Sequence, residues 1–318
     1  MRPVRAFGAA VLLGALTLAG CGQATTPSSA PPSTPVSSAP APSAAAFPVT
    51  VTAGNGSVTI PARPQRIVSL APTATEVLYA IGAGSQVVAV DDQSTFPAEA
   101  PKTKLSGFKP NAEAVIGYKP DLVVVSNDTD GIVKALEKVK IPVVVEPAAV
   151  KVEDVYDQIT DLGAATGNAD AAKTLADGMR QEIADVVAKA PKKSLTYYHE
   201  LTQDLYSVTS TTFIGQVYGL FGLTNIADKA DKTGTGYPQL SAEYILKADP
   251  DLVFLADVKC CGQSADTVAK RPGWSALGSV RNGGVIPLDD DVASRWGPRL
   301  VDFVKAVASA VEKAPSPS

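Results

Sequence analysis

Histidine is nearly missing from this chain: of 318 residues, His199 alone carries an imidazole. A Ser-His-Asp arrangement therefore has a single candidate base, and no GxSxG, HExxH or GxxxxGK[ST] pattern occurs. Cysteine is almost as scarce, at positions 21, 260 and 261. Two adjacent thiols fall short of the roughly four ligands of a structural zinc site. These absences make an enzyme the weaker reading. Surplus positive charge is lacking too: 28 Lys and Arg stand against 32 Asp and Glu, a net −4, which does not suit a nucleic-acid surface. Beyond the first twenty residues no apolar run is long enough to span a bilayer.

The N-terminus has its own composition. Arg2 and Arg5 precede an apolar stretch over residues 7–19 that is too short for a permanent span. Leu18-Ala19-Gly20-Cys21 closes it and matches the lipobox of bacterial lipoproteins, in which cleavage precedes the cysteine and the cysteine takes the lipids. Residues 1–20 then form a signal peptide, and Cys21 holds the protein on the extracytoplasmic face of the cell membrane, since two or more acyl chains give stable anchoring. Loss of Arg2 and Arg5 with no acid moves the net charge from −4 to −6. Residues 21–46, almost all Ser, Thr, Pro, Ala and Gly after Cys21, read as a disordered tether.

A stretch that occurs twice organises the remainder. AEAVIGYKPDLVVV (112–125) and AEYILKADPDLVFL (242–255) align without a gap, sharing Ala112/Ala242, Glu113/Glu243, Pro120/Pro250, Asp121/Asp251, Leu122/Leu252 and Val123/Val253. Each reads as a short helix with one glutamate, a Pro-Asp stop, and an apolar run suited to a strand covered on both faces. A period of 130 residues is too long for a solenoid and fits two α/β lobes. Two matching exposed acids suit symmetric docking on a symmetric partner.

In the first lobe, VTVTAGNGSVTIP alternates about Asn55-Gly56, a hairpin signal. Strands are expected at 67–70, 87–90, 121–125 and 141–145, with helices from Pro72 and over 131–140. Gly82-Ala83-Gly84 ends a helix instead of opening one, so it is no dinucleotide loop. Ligands of such sheets bind beyond the carboxyl ends of strands, here residues 71–73, 91–96 and 126–129. The loop between strands carries Phe96 and Phe108. Helices are expected over 152–166 and 169–188.

The residues 49–90, followed by TFPAEA and NAEAVIGYKPDLVVV, resemble the substrate-binding proteins of ABC importers for cobalamin and ferric siderophores, and the resemblance covers essentially the whole chain after the tether. It implies an α/β fold of two doubly wound parallel-sheet lobes joined by a long α-helix. The expected divisions are an N-terminal lobe at 47–166, a connecting helix at 167–190, a C-terminal lobe at 191–314 and a tail at 315–318. A stiff helix spanning both lobes would keep their motion small; packing on one lobe only is the other reading.

The resemblance also assigns roles. Tyr237, before Pro238-Gln239, matches an aromatic that contacts ligand in cobalamin-binding members. Glu113 and Glu243 match the acids that pair with arginines on the permease dimer, where two weak exposed pairs set register. The strand at 195–199 puts Glu200 and the loop with Tyr206 toward the cleft; a helix over 213–220 is capped by Ser210 or Thr211. The loop with Arg295 and Trp296 edges the cleft. Trp296 either stacks on a corrin or catecholate ring or packs under the last helix, and Arg295 could meet an anionic chelate. Zinc and manganese importers of related fold gather several histidines, which this chain lacks. His199 is either a hydrogen-bonded strand residue near the cleft or, with Tyr237, a haem contact. Cys260 and Cys261 either form a vicinal disulfide or stay free.

The reading is a lipid-anchored, monomeric binding protein, with no cofactor of its own, that serves an ABC permease and its ATPase. Cobalamin is favoured over a ferric siderophore on Tyr237-Pro238-Gln239, while the hairpin looks more siderophore-like. The alternatives are a haem importer component, or a surface sensor or adhesion protein on the same fold.

Overall fold

Short strands of two to five residues alternate with helices and build two sheets of the same order. The computed structural model describes residues 46–315; Cys21, the signal peptide and nearly all of the tether lie outside the described residues. A hairpin of β1 (Val49–Ala53) and β2 (Gly56–Ile60) comes first. The N-terminal lobe then runs β3 (Ile67–Leu70), α1 (Pro72–Ala80), β4 (Val87–Val90), α2 (Ala112–Gly117), β5 (Leu122–Val125), α3 (Ile132–Glu137) and β6 (Val143–Val145). Two longer helices follow, α4 (Val152–Thr166) and α5 (Ala169–Lys189). The C-terminal lobe has β7 (Thr196–Glu200), α6 (Phe213–Gly219), β8 (Thr224–Asn225), α7 (Ala242–Ala248) and β9 (Leu252–Leu255), then α8 (Val258–Cys261), α9 (Ala265–Ala269) and α10 (Gly278–Arg281). It closes with β10 (Val285–Pro287), α11 (Asp290–Ser294) and α12 (Leu300–Lys313).

The sheet orders are β4-β3-β5-β6 and β8-β7-β9-β10, all parallel. In each lobe the first strand lies between the second and the third, and the repeated helix, α2 or α7, leads into the third. The shared residues do the same jobs twice. Asp121 accepts the N–H groups of Gln65 and Arg66, both at 2.8 Å. Asp251 accepts the N–H of Thr196 at 2.7 Å and its hydroxyl at 2.8 Å. Each aspartate thus ties the start of the third strand to the start of the first. Before each proline, Lys119 (φ 51°) and Asp249 (φ 44°) turn left-handed, because the proline ring obstructs the right-handed helical region there.

Both sheets lay one face on a shared helical layer of α1, α4, α5, α6 and α12. Ile67, Leu122 and Val124 of one lobe and Tyr197 and Phe254 of the other belong to a single apolar core. The outer faces have separate cores, under α2 and α3 in one lobe and around Tyr198 and Trp274 in the other. Helices α4 and α5 meet at Gly163, where a Cβ would sit 2.2 Å from that of Ala172. On its buried stripe α5 carries Ala172, Ala176, Met179 and Ile183, and Glu182 reaches Lys305 of α12 at 2.5 Å.

Two local expectations shift. Ala53 pairs with Gly56, so the hairpin turn is Gly54-Asn55, one residue early. The Asn55 amide is used elsewhere: it donates to Val143 O at 2.9 Å and accepts from Val145 N at 3.2 Å, covering the free edge of β6. The cap of α6 is Thr212, whose hydroxyl accepts the Gly215 N–H at 3.0 Å, instead of Ser210 or Thr211.

Candidate ligand cleft

Loops leaving all four strands of the N-terminal sheet converge on one cleft of about 330 Å³. After β3 it is lined by residues 70–74, after β4 by Asp91 and Gln93, after β5 by Ser126 and Asn127, and after β6 by Glu146. Gln158 and Leu162 of α4 add a side wall, and Asp291, Ser294, Arg295 and Trp296 form the wall opposite. The sequence places site candidates at the first three strand ends; Glu146 at the fourth is an addition of the structure.

Phe108 belongs to the lining and is 76% exposed. Its neighbour Gly107 makes this possible: a Cβ there would lie 2.5 Å from Leu70 O and 2.9 Å from Asp91 Oδ2. Trp296 is half-buried and both packs on the central core and lines the cleft. Phe96 is outside the lining, with the Arg299 guanidinium 4.4 Å from its ring centroid.

Arg295 lines the cleft with its guanidinium already in three contacts. It donates to Glu76 Oε1 at 2.9 Å, Asp291 Oδ1 at 2.8 Å and Gln93 O at 3.0 Å. Glu76, on α1 and almost fully buried, also takes a bidentate pair from Arg299 at 2.9 and 2.6 Å. Nothing local in the sequence signals this cluster, because its partners are more than two hundred positions apart.

The cleft also holds two acids shifted toward the neutral form. Burial, then repulsion from Asp161, pushes the Glu146 carboxyl up to about 8; one of its oxygens has no hydrogen-bond partner. Burial also raises Asp91, against the hydrogen bond from Ser94.

In the C-terminal sheet the segment after β10 reaches the cleft, whereas the acids at the ends of β7 and β9 turn inward. Glu200 is fully buried and held by both Arg271 terminal nitrogens at 2.6 Å. Arg271 also stacks 4.6 Å from the Trp274 centroid. Asp257 lies beside this pair, its carboxyl pushed to about 7 by burial and by Glu200. The assignment of Glu200 to the cleft is therefore corrected: its charge is spent on Arg271. Of the two readings of His199, the hydrogen-bonded strand residue holds and the haem contact does not. It is fully buried, shares a 2.7 Å hydrogen bond with the Tyr218 hydroxyl, and burial drops its pKa to about 3.

Tyr206 and Tyr237 are 43% and 51% exposed and stand outside the cavity lining. A bridge between Tyr206 and Gln239 holds their two segments together. Cys260 and Cys261 are bonded to each other at the exposed end of α8. The Asp290 carboxylate accepts the N–H groups of Val258, Lys259 and Cys260 at 2.9–3.0 Å, so α8 and α11 are joined. Glu113 and Glu243 are both exposed second residues of helices capped by Asn111 and Ser241. Hydrogen bonds at the helix start, from its own N–H first, lower the Glu243 carboxyl.

A two-lobed α/β body with a cleft at its strand ends is the form of the extracytoplasmic substrate-binding component of an ABC importer, a carrier and not an enzyme. The chain belongs to the periplasmic binding protein family, whose model matches residues 67–292. It is 34% identical over 316 residues to the ABC transporter substrate-binding lipoprotein YvrC of Bacillus subtilis, covering 95% of each chain. It is 33% identical to a cobalamin-binding protein of Halobacterium salinarum, covering 88% of this chain and 78% of that one. The crystal structure of the vitamin B12-binding protein BtuF of Vibrio cholerae aligns with TM-score 0.65 at 25% identity, over 78% of this chain and 97% of that one. As such a component it works with a permease and its ATPase. Among the described residues no helix is long and apolar enough to cross a membrane.

Proposed function

We propose that this protein captures cobalamin between its lobes and hands it to the permease. The observation that carries the reading is the cleft itself, where Phe108 and Trp296 offer ring faces beside neutral and acidic polar groups. A corrin macrocycle fits such walls, since aromatic faces supply large apolar area and a few convergent polar groups fix orientation. The similarity to cobalamin-binding relatives supports the same ligand. Tyr206 and Tyr237 then meet it from the C-terminal lobe, and Phe96 stands at the rim. Cys21 holds the monomer on the membrane by its lipids, and residues 21–46 let it reach the permease.

Glu113 and Glu243 dock on arginines of the permease dimer, one per lobe. Docking shifts the lobes toward release through unequal affinity for the two states. The test is uptake of labelled cobalamin by cells lacking the chromosomal copy. Wild-type protein restores it. Glu113→Ala combined with Glu243→Ala does not, although the purified variant binds as wild type. Uptake by the double variant would contradict the docking assignment. Cys21→Ala protein is expected in the soluble fraction, and its retention on membranes would contradict the anchor.

A further inference from the structure

Glu146 is the feature of the cleft that fold stability does not explain. It follows β6 directly, its own N–H extending the sheet pairing to Val125 O at 2.8 Å. Its side chain is 95% buried by accessible area and lines the cavity. Oε1 has no partner, and neither oxygen is in an ion pair among the described residues. A buried carboxyl without a partner is costly, and one aimed into a binding cavity points to a group that arrives with the ligand.

The charges around it restrict that group. From α4, Asp161 raises the Glu146 carboxyl, with Asp157 acting on Asp161 in turn. Asp91 lines the cleft at the end of β4, and Asp291 and Arg295 line it from the opposite wall. The end of β5 supplies only Ser126 and Asn127. Arg295 is the one cation in this lining, and its guanidinium is committed to Glu76, Asp291 and a backbone carbonyl. A ligand edge bearing carboxylates or catecholate oxygens would meet acids with no free cation, an arrangement that excludes as well as selects.

We propose that Glu146 is a specificity-determining residue that pairs as a neutral acid with a primary carboxamide on the ligand edge, so that the cleft selects amide-bearing macrocycles over carboxylate-bearing ones. This deepens the cobalamin reading and rests on it, since the corrin periphery carries carboxamides. A protonated carboxyl has one O–H to donate and one C=O to accept. A primary amide offers the matching carbonyl and N–H, so both bonds form face to face. The raised carboxyl keeps the proton in place at neutral pH.

The experiment is calorimetric titration of the full-length protein in detergent with cyanocobalamin and its isomeric monocarboxylic acids, from pH 6.5 to 9.5. Wild type should lose about tenfold in affinity toward pH 9.5 as Glu146 ionises, and at least one monoacid should bind about tenfold more weakly than the parent. Glu146→Gln retains a donor and an acceptor, so it should stay within about threefold of wild type at pH 7 and lose the pH dependence. Glu146→Leu should bind about tenfold more weakly. Tight corrinoid binding with the same pH profile in wild type and Glu146→Gln, or undiminished by Glu146→Leu, overturns the inference and leaves the cobalamin reading intact. No binding of any corrinoid overturns both.

Discussion

A carboxyl in an apolar wall costs stability, and Glu146 shows how much. Its folded pKa is about 8 against a usual 4.5. A raised folded value favours the native state in full below pH 4.5, and that contribution is lost as pH rises through 8. Glu146→Gln escapes this loss. Its stability margin over wild type should grow between pH 4.5 and 8, by up to about 1.4 kcal/mol per pH unit. Denaturant unfolding at pH 5, 6.5 and 8 measures the margin; the same margin at all three would contradict the assignment. His199 acts in the other direction. With a folded value near 3 against 6.5, its contribution is complete above pH 6.5 and is lost as pH falls toward 3. The position of His199 on a strand was legible from the resemblance, which placed a strand at 195–199. Its full burial was not, because that depends on Tyr218 arriving from α6. Glu146 had a readable signal, an acid directly ending the run IPVVV, but its isolation shows only when the sheet ends converge.

Short elements carry much of the cleft geometry. The run Asp289-Asp290-Asp291 looks like a solvated charge cluster, yet each acid has its own task. Asp289 caps α11 through the N–H groups of Asp291 and Val292. Asp290 collects three N–H groups of α8, and Asp291 holds Arg295. Lys259 of α8 reaches back to Asp289 and Asp291 at 2.7 and 3.1 Å. The four-residue helix with the bonded cysteines is thus a platform under the wall that bears Arg295 and Trp296. Asp290→Ala should leave those N–H groups with water alone, lower unfolding stability by about 1–3 kcal/mol and weaken ligand binding. Unchanged values of both would show the platform to be dispensable. Elements of four or five residues such as α8 and α11 lack a full hydrophobic period, so the sequence reads α11 as loop. The repeated α2 and α7 were legible because a second copy marks which residues matter.

At the scale of the molecule, two lobes of one topology share a helical core and differ in what their strand ends do. All four ends of one set open into the cleft, whereas in the other the segment after β10 reaches it and Arg271 closes over Glu200 at the end of β7. The duplicated motif made the common topology readable, but this asymmetry rests on residues outside it. Glu76 joins α1 to the far end of the chain through Arg295 and Arg299. Those arginine side chains are 11% and 16% exposed, so Glu76→Ala leaves Arg299 without its counter-charge and Arg295 with Asp291 alone. The expected loss is about 3–5 kcal/mol, read from denaturant unfolding; a loss below about 1 kcal/mol would place the pair among exposed bridges of little weight.

The most direct test of the whole account is calorimetric titration of the purified protein at pH 7 with cyanocobalamin, haemin and a ferric tricatecholate. The account predicts cyanocobalamin binding at about micromolar or tighter, with the two anionic chelates at least about a hundredfold weaker. Haemin or the tricatecholate binding more tightly than cyanocobalamin would contradict it, because the cleft would then not select the amide-bearing macrocycle.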